Sequence, residues 1–134
     1  MAAPELDLSD EEWRQRLSPE RYEVLRAGAT EPPWSGKYLH VDEEGVFRCA
    51  GCDTPLFSTD AKFDSGSGWP SFDRAIAAGT VEERADHSHG MARTEIVCAR
   101  CGGHLGHVFP DGPTETGLRY CVNSLAIEFD PAGG

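Results

Sequence analysis

Five cysteines are the residues of this chain best suited to chemistry, and four of them form two C-x-x-C units. The units pair Cys49 with Cys52 and Cys98 with Cys101. Their spacing lets both sulfurs of a tight turn point at one ion, so together they can supply the four ligands of a tetrahedral zinc site. Four thiolates leave no open position for substrate, which predicts a structural zinc ion. Two separate redox pairs or a disulfide framework are the alternatives.

The fifth cysteine, Cys121, remains once these four ligands are set aside. It lies in a segment with few turn-forming residues, which is typical of a strand, so Arg119 two positions back would share a face with it. A positive charge on that face would favour the reactive thiolate over the thiol. The alternative is an inert cysteine that fills the core.

Two further groups of residues could complete a site around this thiol. His104 and His107 could be metal ligands, surface residues or proton donors and acceptors, and the nearby thiol favours the last of these. Upstream, Trp69 and Phe72 offer flat apolar surface beside glycines that permit tight turns. Such a surface could belong to the core, or it could hold an uncharged, thioether-like side chain.

Taken together, these motifs closely resemble those of the methionine-R-sulfoxide reductases. The resemblance covers Leu6 to Phe129 and predicts a single domain over 1–134 with its core at about 6–129. It implies a mainly β, tent-like fold of two small antiparallel sheets, with short N-terminal helices and one structural zinc ion. The motifs that carry it, besides the C-x-x-C units, are Gly-Trp-Pro-Ser-Phe at 68–72, Gly-His-Leu-Gly-His-Val-Phe at 103–109 and Arg-Tyr-Cys-Val-Asn-Ser at 119–124.

The resemblance also implies a reaction, the reduction of the R epimer of methionine sulfoxide, either free or within an oxidised protein or peptide. Cys121 would attack the substrate sulfur and become a sulfenic acid, the first step of cysteine oxidation. His104 and His107, with Asn123, would position and protonate the departing oxygen. The enzyme would then repair proteins under oxidative stress.

Substrate recognition is implied for a second set of residues. Trp69 and Phe109 would hold the ε-methyl group of the substrate, and Arg119 completes the substrate-binding set. Exchanging methyl and oxygen would place a polar atom on the aromatic wall, so the site would select one epimer.

Ser67 departs from the family pattern, because many relatives carry a second, resolving cysteine at the matching position. A hydroxyl cannot form a disulfide, and the other cysteines are assigned to zinc, so no resolving cysteine is left for Cys121. Thioredoxin or another external thiol would then reduce the sulfenic acid. Both a natural one-cysteine enzyme and a cysteine replaced by serine are compatible with the sequence.

The elements that must position these residues are short. A capping-box pattern, Ser9 with Glu12, and the pair Ser18-Pro19 predict helices near 10–16 and 19–27. Beyond them, frequent glycine and proline residues separate short apolar runs, which is typical of a strand-rich structure. The strand candidates are 46–48, 94–97, 108–109 and 125–129.

Composition narrows the choice of partners. The 134 residues carry a formal net charge of -11, so the surface would repel nucleic acid and anionic membranes. No run approaches the roughly 20 apolar residues of a membrane span, and the acidic beginning of the chain does not resemble a signal peptide. A cytoplasmic location is therefore expected, and a monomer is the default expectation.

Two other functions are compatible with paired C-x-x-C units on a small β fold. The chain could be a zinc-dependent binding module, which would leave Cys121 and the two histidines without a purpose. It could also carry out thiol-adduct chemistry such as formaldehyde capture by glutathione. The segment around Cys121 speaks against this second alternative.

Overall fold

The computed structural model describes residues 8–132, apart from the side chain of His89. The expected beginning of the core at Leu6 therefore lies outside the described residues. Within the described range the chain is mainly β, with two short helices at its beginning, as the sequence predicts. Among these residues, no helix has the length and hydrophobicity of a membrane-spanning segment.

Both predicted helices are confirmed: α1 spans Asp10–Arg16 and α2 spans Pro19–Leu25. At the start of α1, the Ser9 hydroxyl accepts a hydrogen bond from the Glu12 N–H, and the Glu12 carboxylate accepts one from the Ser9 N–H. The predicted capping box is thus present and satisfies two backbone donors that the helix itself cannot. Ser18 caps α2, which ends earlier than predicted.

The strands form two antiparallel sheets, which confirms the predicted architecture. A three-stranded sheet has the order β2-β1-β9, and a six-stranded sheet has the order β3-β4-β8-β7-β6-β5. The bounds are β1 Gly45–Cys49, β2 Pro55–Ser58, β3 Lys62–Phe63, β4 Ser71–Phe72, β5 Val81–Asp86, β6 Arg93–Cys98, β7 His104–Phe109, β8 Arg119–Val122 and β9 Ile127–Pro131.

The last predicted strand begins later than expected. The alternation of apolar and polar residues predicts a strand over 125–129, but Ser124–Ala126 forms a turn of 3-10 helix and β9 begins at Ile127. The N–H of Leu125 donates to the carboxylate of Glu31 instead of a neighbouring strand. This side-chain acceptor, which lies far away in sequence, keeps the segment out of the sheet.

Aromatic side chains join the two sheets. Phe47 and Phe57 project from the small sheet, while Phe72 and Tyr120 project from the large one. The rings of Phe57 and Phe72 stack with centroids 4.5 Å apart, and Phe47 meets Phe72 edge-on at 5.2 Å. Buried aromatic pairs of this kind contribute a large apolar area and a preferred geometry, so they fix how the sheets meet.

The helices pack on the turns that carry the C-x-x-C cysteines. A Cβ atom built on Gly51 would lie 3.3 Å from the ring of Trp13, and one on Gly103 would lie 2.9 Å from Leu25. Glycine at these positions lets α1 and α2 approach the turns closely. The Arg26 guanidinium, just after α2, donates to the carbonyl oxygen of Cys101 at 2.9 Å.

We expect Trp13→Ala to lower the free energy of unfolding by about 3 to 5 kcal/mol, the usual cost of truncating a buried aromatic side chain. Trp13 is 2% exposed, whereas Trp34 is 61% exposed. Trp34→Ala is therefore the matched control and should change stability by less than about 1 kcal/mol. Urea unfolding followed by far-ultraviolet circular dichroism measures both variants. Equal losses would contradict the assignment of α1 to the core.

Candidate active site and metal centre

The two C-x-x-C turns have the same backbone geometry. The N–H of Asp53 donates to the carbonyl of Cys49 at 2.8 Å, and the N–H of Gly102 donates to that of Cys98 at 2.7 Å. Asp53 and Gly102 both adopt the left-handed region, with φ of 68° and 75°. Each turn follows the end of a strand, β1 in the small sheet and β6 in the large one. An ion held between the turns would therefore join the two sheets.

The four sulfurs are arranged as a tetrahedral ion requires. All four Sγ atoms lie within 4.8 Å of one another, and all four cysteines are buried. The Cys49 and Cys101 sulfurs are 3.7 Å apart, and those of Cys52 and Cys98 are 3.5 Å apart. A regular tetrahedron with Zn–S bonds of about 2.3 Å has edges of about 3.8 Å, so the donors fit a zinc ion.

The cluster also needs a cation on electrostatic grounds. Hydrogen bonding with Cys101, then with Cys52 and Cys98, together with burial, raises the pKa of the Cys49 thiol far above its ordinary value. Several thiolates cannot share so small a buried space without a positive charge, and metal binding releases their protons. The donor set therefore fits a metal ion that takes four sulfur ligands.

Cys121 lies apart from this cluster, in the middle of the large sheet. It is 8% exposed and lies on β8, directly opposite His107 on β7 and Ser71 on β4. Directly opposed residues place their side chains on the same face of a sheet. Gly106 on β7 lets β7 and β8 lie this close together, because a side chain at that position would collide with the carbonyl of Cys121.

Arg119 contacts the sulfur of Cys121, as their shared strand face predicts. Its Nη1 donates to Cys121 Sγ at 2.9 Å, while Nε and Nη2 donate to the two carboxylate oxygens of Asp111 at 2.8 and 3.1 Å. The guanidinium also stacks over Phe109, 4.5 Å from the ring centroid. The hydrogen bond to Asp111, with the nearby sulfur, raises the pKa of Arg119, so a fixed positive charge faces the thiol.

The two histidines share the face of the sheet that carries Cys121. Residues three apart on a regular strand point to opposite faces. Here the pairing of β6 with β7 shifts by one residue: Ile96 pairs with Gly106, but the next residue, Val97, pairs with His104. The resulting bulge turns His104 to the side of His107, and their ring centroids lie 5.6 Å apart.

Each histidine has a carboxylate partner. His107 Nε2 lies 2.7 Å from Asp86, and His104 Nδ1 lies 2.6 Å from Glu95. The hydrogen bond with His107 lowers the pKa of Asp86 below its ordinary range, so the carboxylate accepts and the ring donates. Burial lowers the pKa of His104, and its buried Nε2 has no partner among the described residues. The orientation of each imidazole ring is thus set by a carboxylate on another strand, Asp86 on β5 for His107 and Glu95 on β6 for His104.

A cavity of about 300 Å³ opens beside Cys121. It brings together most of the predicted site residues, whereas His104 is not in the lining. Its walls also include Thr30 and Arg93, which the sequence did not single out. The predicted residues in the lining are Ser67, Trp69, His107, Phe109, Arg119, Cys121 and Asn123.

Glu31 fixes two of these walls and has no recognisable signal in the sequence. Its carbonyl oxygen accepts a hydrogen bond from Trp69 Nε1, and its N–H donates to Asn123 Oδ1, both at 3.0 Å. Asn123 Nδ2 in turn donates to the carbonyl of Leu105 at 3.0 Å, which leaves its second amide proton available. Asp86 and Glu95 likewise belong to no recognisable motif, whereas Asp111 follows closely after the segment that contains His104 and His107.

Ser67 reaches the sulfur of Cys121. Its hydroxyl lies 3.5 Å from Cys121 Sγ and belongs to the wall of the cavity. Among the described residues the remaining four cysteines all belong to the metal cluster. No second thiol in this part of the chain is therefore placed to form a disulfide with Cys121.

Comparison with known proteins agrees with this geometry. The SelR domain family matches residues 17–131. A peptide methionine sulfoxide reductase MsrB from Agrobacterium fabrum is 53% identical over 131 residues, which cover 98% of this chain and 97% of that protein. Proteins of the same name from Bradyrhizobium diazoefficiens and Thiobacillus denitrificans are 58% and 56% identical over 123 residues. These matches cover 92% of this chain and 88% and 93% of the two relatives.

Removal of the metal should loosen the whole domain, because the free energy of binding at a four-thiolate site is also free energy of folding. We expect one zinc per chain and a fall in Tm of roughly 10 °C or more after chelation. Cys52→Ser should reproduce the loss, whereas Cys121→Ser should keep both metal and Tm. Metal analysis and differential scanning calorimetry measure these quantities. An unchanged Tm after complete metal removal would contradict a structural role.

The lowered pKa of His104 predicts a loss of stability in mild acid. Unfolded histidine takes up a proton near pH 6.5, whereas the folded state resists protonation. Stability should therefore fall as the pH drops below about 6.5, and His104→Gln should lose less than the unchanged protein between pH 7.5 and 5.5. The exposed His40→Gln is the control. Parallel curves for His104→Gln and the unchanged protein, from urea unfolding at each pH, would refute this linkage.

Proposed function

The chain belongs to the SelR domain family of peptide methionine sulfoxide reductases, and from this membership we propose that it reduces the R epimer of methionine sulfoxide to methionine. The substrate is methionine sulfoxide within oxidised proteins and peptides, and the free amino acid is a second form. The observation that carries the proposal is the sulfur of Cys121, held 2.9 Å from the Arg119 guanidinium at the wall of an aromatic-lined cavity.

Cys121 is the nucleophile in this scheme. A thiolate is the reactive form of cysteine, and a hydrogen bond from a fixed guanidinium stabilises negative charge on sulfur. The sulfur attacks the substrate sulfur, and the sulfoxide oxygen passes to Cys121 as a sulfenic acid. The substrate sulfur gains two electrons, Cys121 loses two, and methionine is released.

The histidines supply the proton that the sulfoxide oxygen requires. His107 lines the cavity opposite Cys121, and Asp86 accepts from its Nε2, so the proton for the oxygen comes from Nδ1 of the doubly protonated ring. His104, held by Glu95, has its ring centroid 5.6 Å from that of His107 and completes a pair of polar rings. General acid catalysis by a positioned side chain commonly accelerates a reaction about 10² to 10⁴-fold. Asp86 and Glu95 act as positioning residues for the two rings.

Trp69 and Phe109 give the cavity its preference for one epimer. Both rings belong to the wall, and Trp69 is held in place through its Nε1. The methyl group of the R epimer lies on this apolar surface while the oxygen faces His107 and the available amide proton of Asn123. The S epimer would place oxygen on the rings, and an unpaired polar group is strongly rejected.

An external thiol completes the cycle. Ser67 cannot attack the sulfenic acid, so thioredoxin or another thiol reductant must reduce Cys121. The chain then acts as a monomeric cytoplasmic enzyme of one domain, with its core at about 6–129, that repairs proteins under oxidative stress. The high negative charge supports a function away from nucleic acid and membranes.

The metal centre has a separate task. Cys49, Cys52, Cys98 and Cys101 would hold one zinc ion, which supplies a structural link between the sheets rather than chemistry at Cys121. With all four ligands provided by the chain, no position is left for substrate. A pure zinc-dependent binding module would leave the contact between Arg119 and Cys121 unexplained, so the enzyme is the preferred function.

We expect the protein to consume half of a racemic dabsyl-methionine sulfoxide sample with dithiothreitol as reductant, and Cys121→Ser to consume none. The S epimer alone is the control substrate and should persist. Epimer-resolved chromatography measures both. Consumption of the R epimer by Cys121→Ser would contradict the assignment of the nucleophile.

One equivalent of substrate, added without reductant, should add one oxygen atom to the intact mass. Ser67→Cys places a second sulfur beside Cys121 and should instead lose two hydrogens as a disulfide forms. Loss of two hydrogens in the unchanged protein would contradict the dependence on an external thiol.

A further inference from the structure

Three serine hydroxyls form a connected cluster beside the sulfur of Cys121. Ser65 Oγ lies 2.8 Å from Ser67 Oγ and 2.7 Å from Ser71 Oγ. Ser67 and Ser71 in turn lie 3.5 and 3.8 Å from Cys121 Sγ. The proposed reaction uses none of these three hydroxyls.

The three hydroxyls can form hydrogen bonds other than those they form in the reduced protein. Each hydroxyl carries one proton and two acceptor positions. Ser67 directs its proton towards the carbonyl of Trp69 at 3.4 Å, a long distance for a hydroxyl donor. Ser71 can turn its one proton either to that carbonyl at 3.2 Å or to Ser65 at 2.7 Å. The contacts with the Cys121 sulfur are longer still. An oxygen atom attached to that sulfur would be a stronger and closer acceptor for the same protons.

We propose that Ser65, Ser67 and Ser71 form a binding site for the sulfenic oxygen of Cys121, which holds the oxidised enzyme between its two half-reactions. This inference rests on the proposed function, because the oxygen comes from the substrate. Ser67 donates to the oxygen, Ser65 donates its one proton to Ser67, and Ser71 donates either to the oxygen or to Ser65. Arg119 holds the sulfur from its own strand.

The cluster answers a chemical need that follows from Ser67. A resolving thiol would consume the sulfenic acid at once, whereas here the acid must last until a reductant molecule arrives. During this interval peroxide can add a second oxygen and give the sulfinic acid, which is not reversed by ordinary thiols. Hydrogen bonds to the sulfenic oxygen draw electron density from the sulfur and slow this oxidation.

The same hydrogen bonds assist reduction. In that step a thiol of the reductant attacks Cys121, a sulfur–sulfur bond forms, and the sulfenic oxygen leaves as water with a proton from the attacking thiol. A second reductant thiol then releases Cys121 as a thiol and carries the disulfide away. A hydroxyl that donates to the oxygen makes it a better leaving group. The cluster should therefore affect the two fates of the sulfenic acid in opposite directions.

The test uses Ser67→Ala and Ser71→Ala in the full chain, with Ser58→Ala as the control because Ser58 lies on β2 of the small sheet. Each protein receives one equivalent of the R epimer, and released methionine is measured in the same sample. Hydrogen peroxide or dithiothreitol is then added, and intact mass follows the sulfenic, sulfinic and reduced forms over time.

For each of the two cluster variants we expect sulfinic acid formation to be about tenfold faster and reduction by dithiothreitol to be slower, as loss of a hydrogen bond to a strongly polar oxygen would cause. Ser58→Ala should match the unchanged protein. Rates equal to the control, or both rates shifted in one direction, would overturn the proposal. If the unchanged protein releases no methionine at all, the proposed function is contradicted instead, so the two failures are distinguishable.

Discussion

The contact between the Arg119 guanidinium and the Cys121 sulfur, 2.9 Å long, is the interaction on which the candidate site depends. It holds a positive charge against an uncoordinated cysteine inside the protein. Asp111 binds the other side of the guanidinium through two hydrogen bonds, and Phe109 supports its plane. The arrangement is rigid because Arg119 and Cys121 belong to one short strand whose neighbours, β4 and β7, fix its register.

Separation of the cysteines makes this contact possible. The four C-x-x-C thiols lie in turns at the ends of β1 and β6, where a metal ion can satisfy them, and Cys121 lies within β8. An ion held between the C-x-x-C turns would join the two sheets. The buried aromatic rings fill the space between the sheets, and α1 and α2 cover the turns. The proposed chemistry would then take place on one face of the large sheet, and an ion in the cysteine cluster would only support that sheet.

The sequence predicts the parts of the molecule that depend on local patterns. Short helices with their caps, the four-cysteine cluster and the shared face of Arg119 and Cys121 follow from spacing alone, and the family resemblance supplies the two-sheet architecture. The pairing of His104 with His107 on one face depends on a bulge that only the register reveals. Asp86 and Glu31 act across long sequence separations, so no local pattern marks them. The late beginning of β9 has the same cause, since the acceptor for Leu125 belongs to Glu31.

The proposed reaction requires one sulfur that is free of metal and held reactive by a neighbouring arginine. Brief alkylation of the zinc-loaded protein with iodoacetamide at neutral pH, followed by peptide mass spectrometry, tests it directly. The label should appear on Cys121 alone, and Arg119→Ala should slow its incorporation. Label on a cysteine of the C-x-x-C turns while Cys121 stays unlabelled would contradict this assignment. An unchanged rate of labelling in Arg119→Ala would contradict it as well.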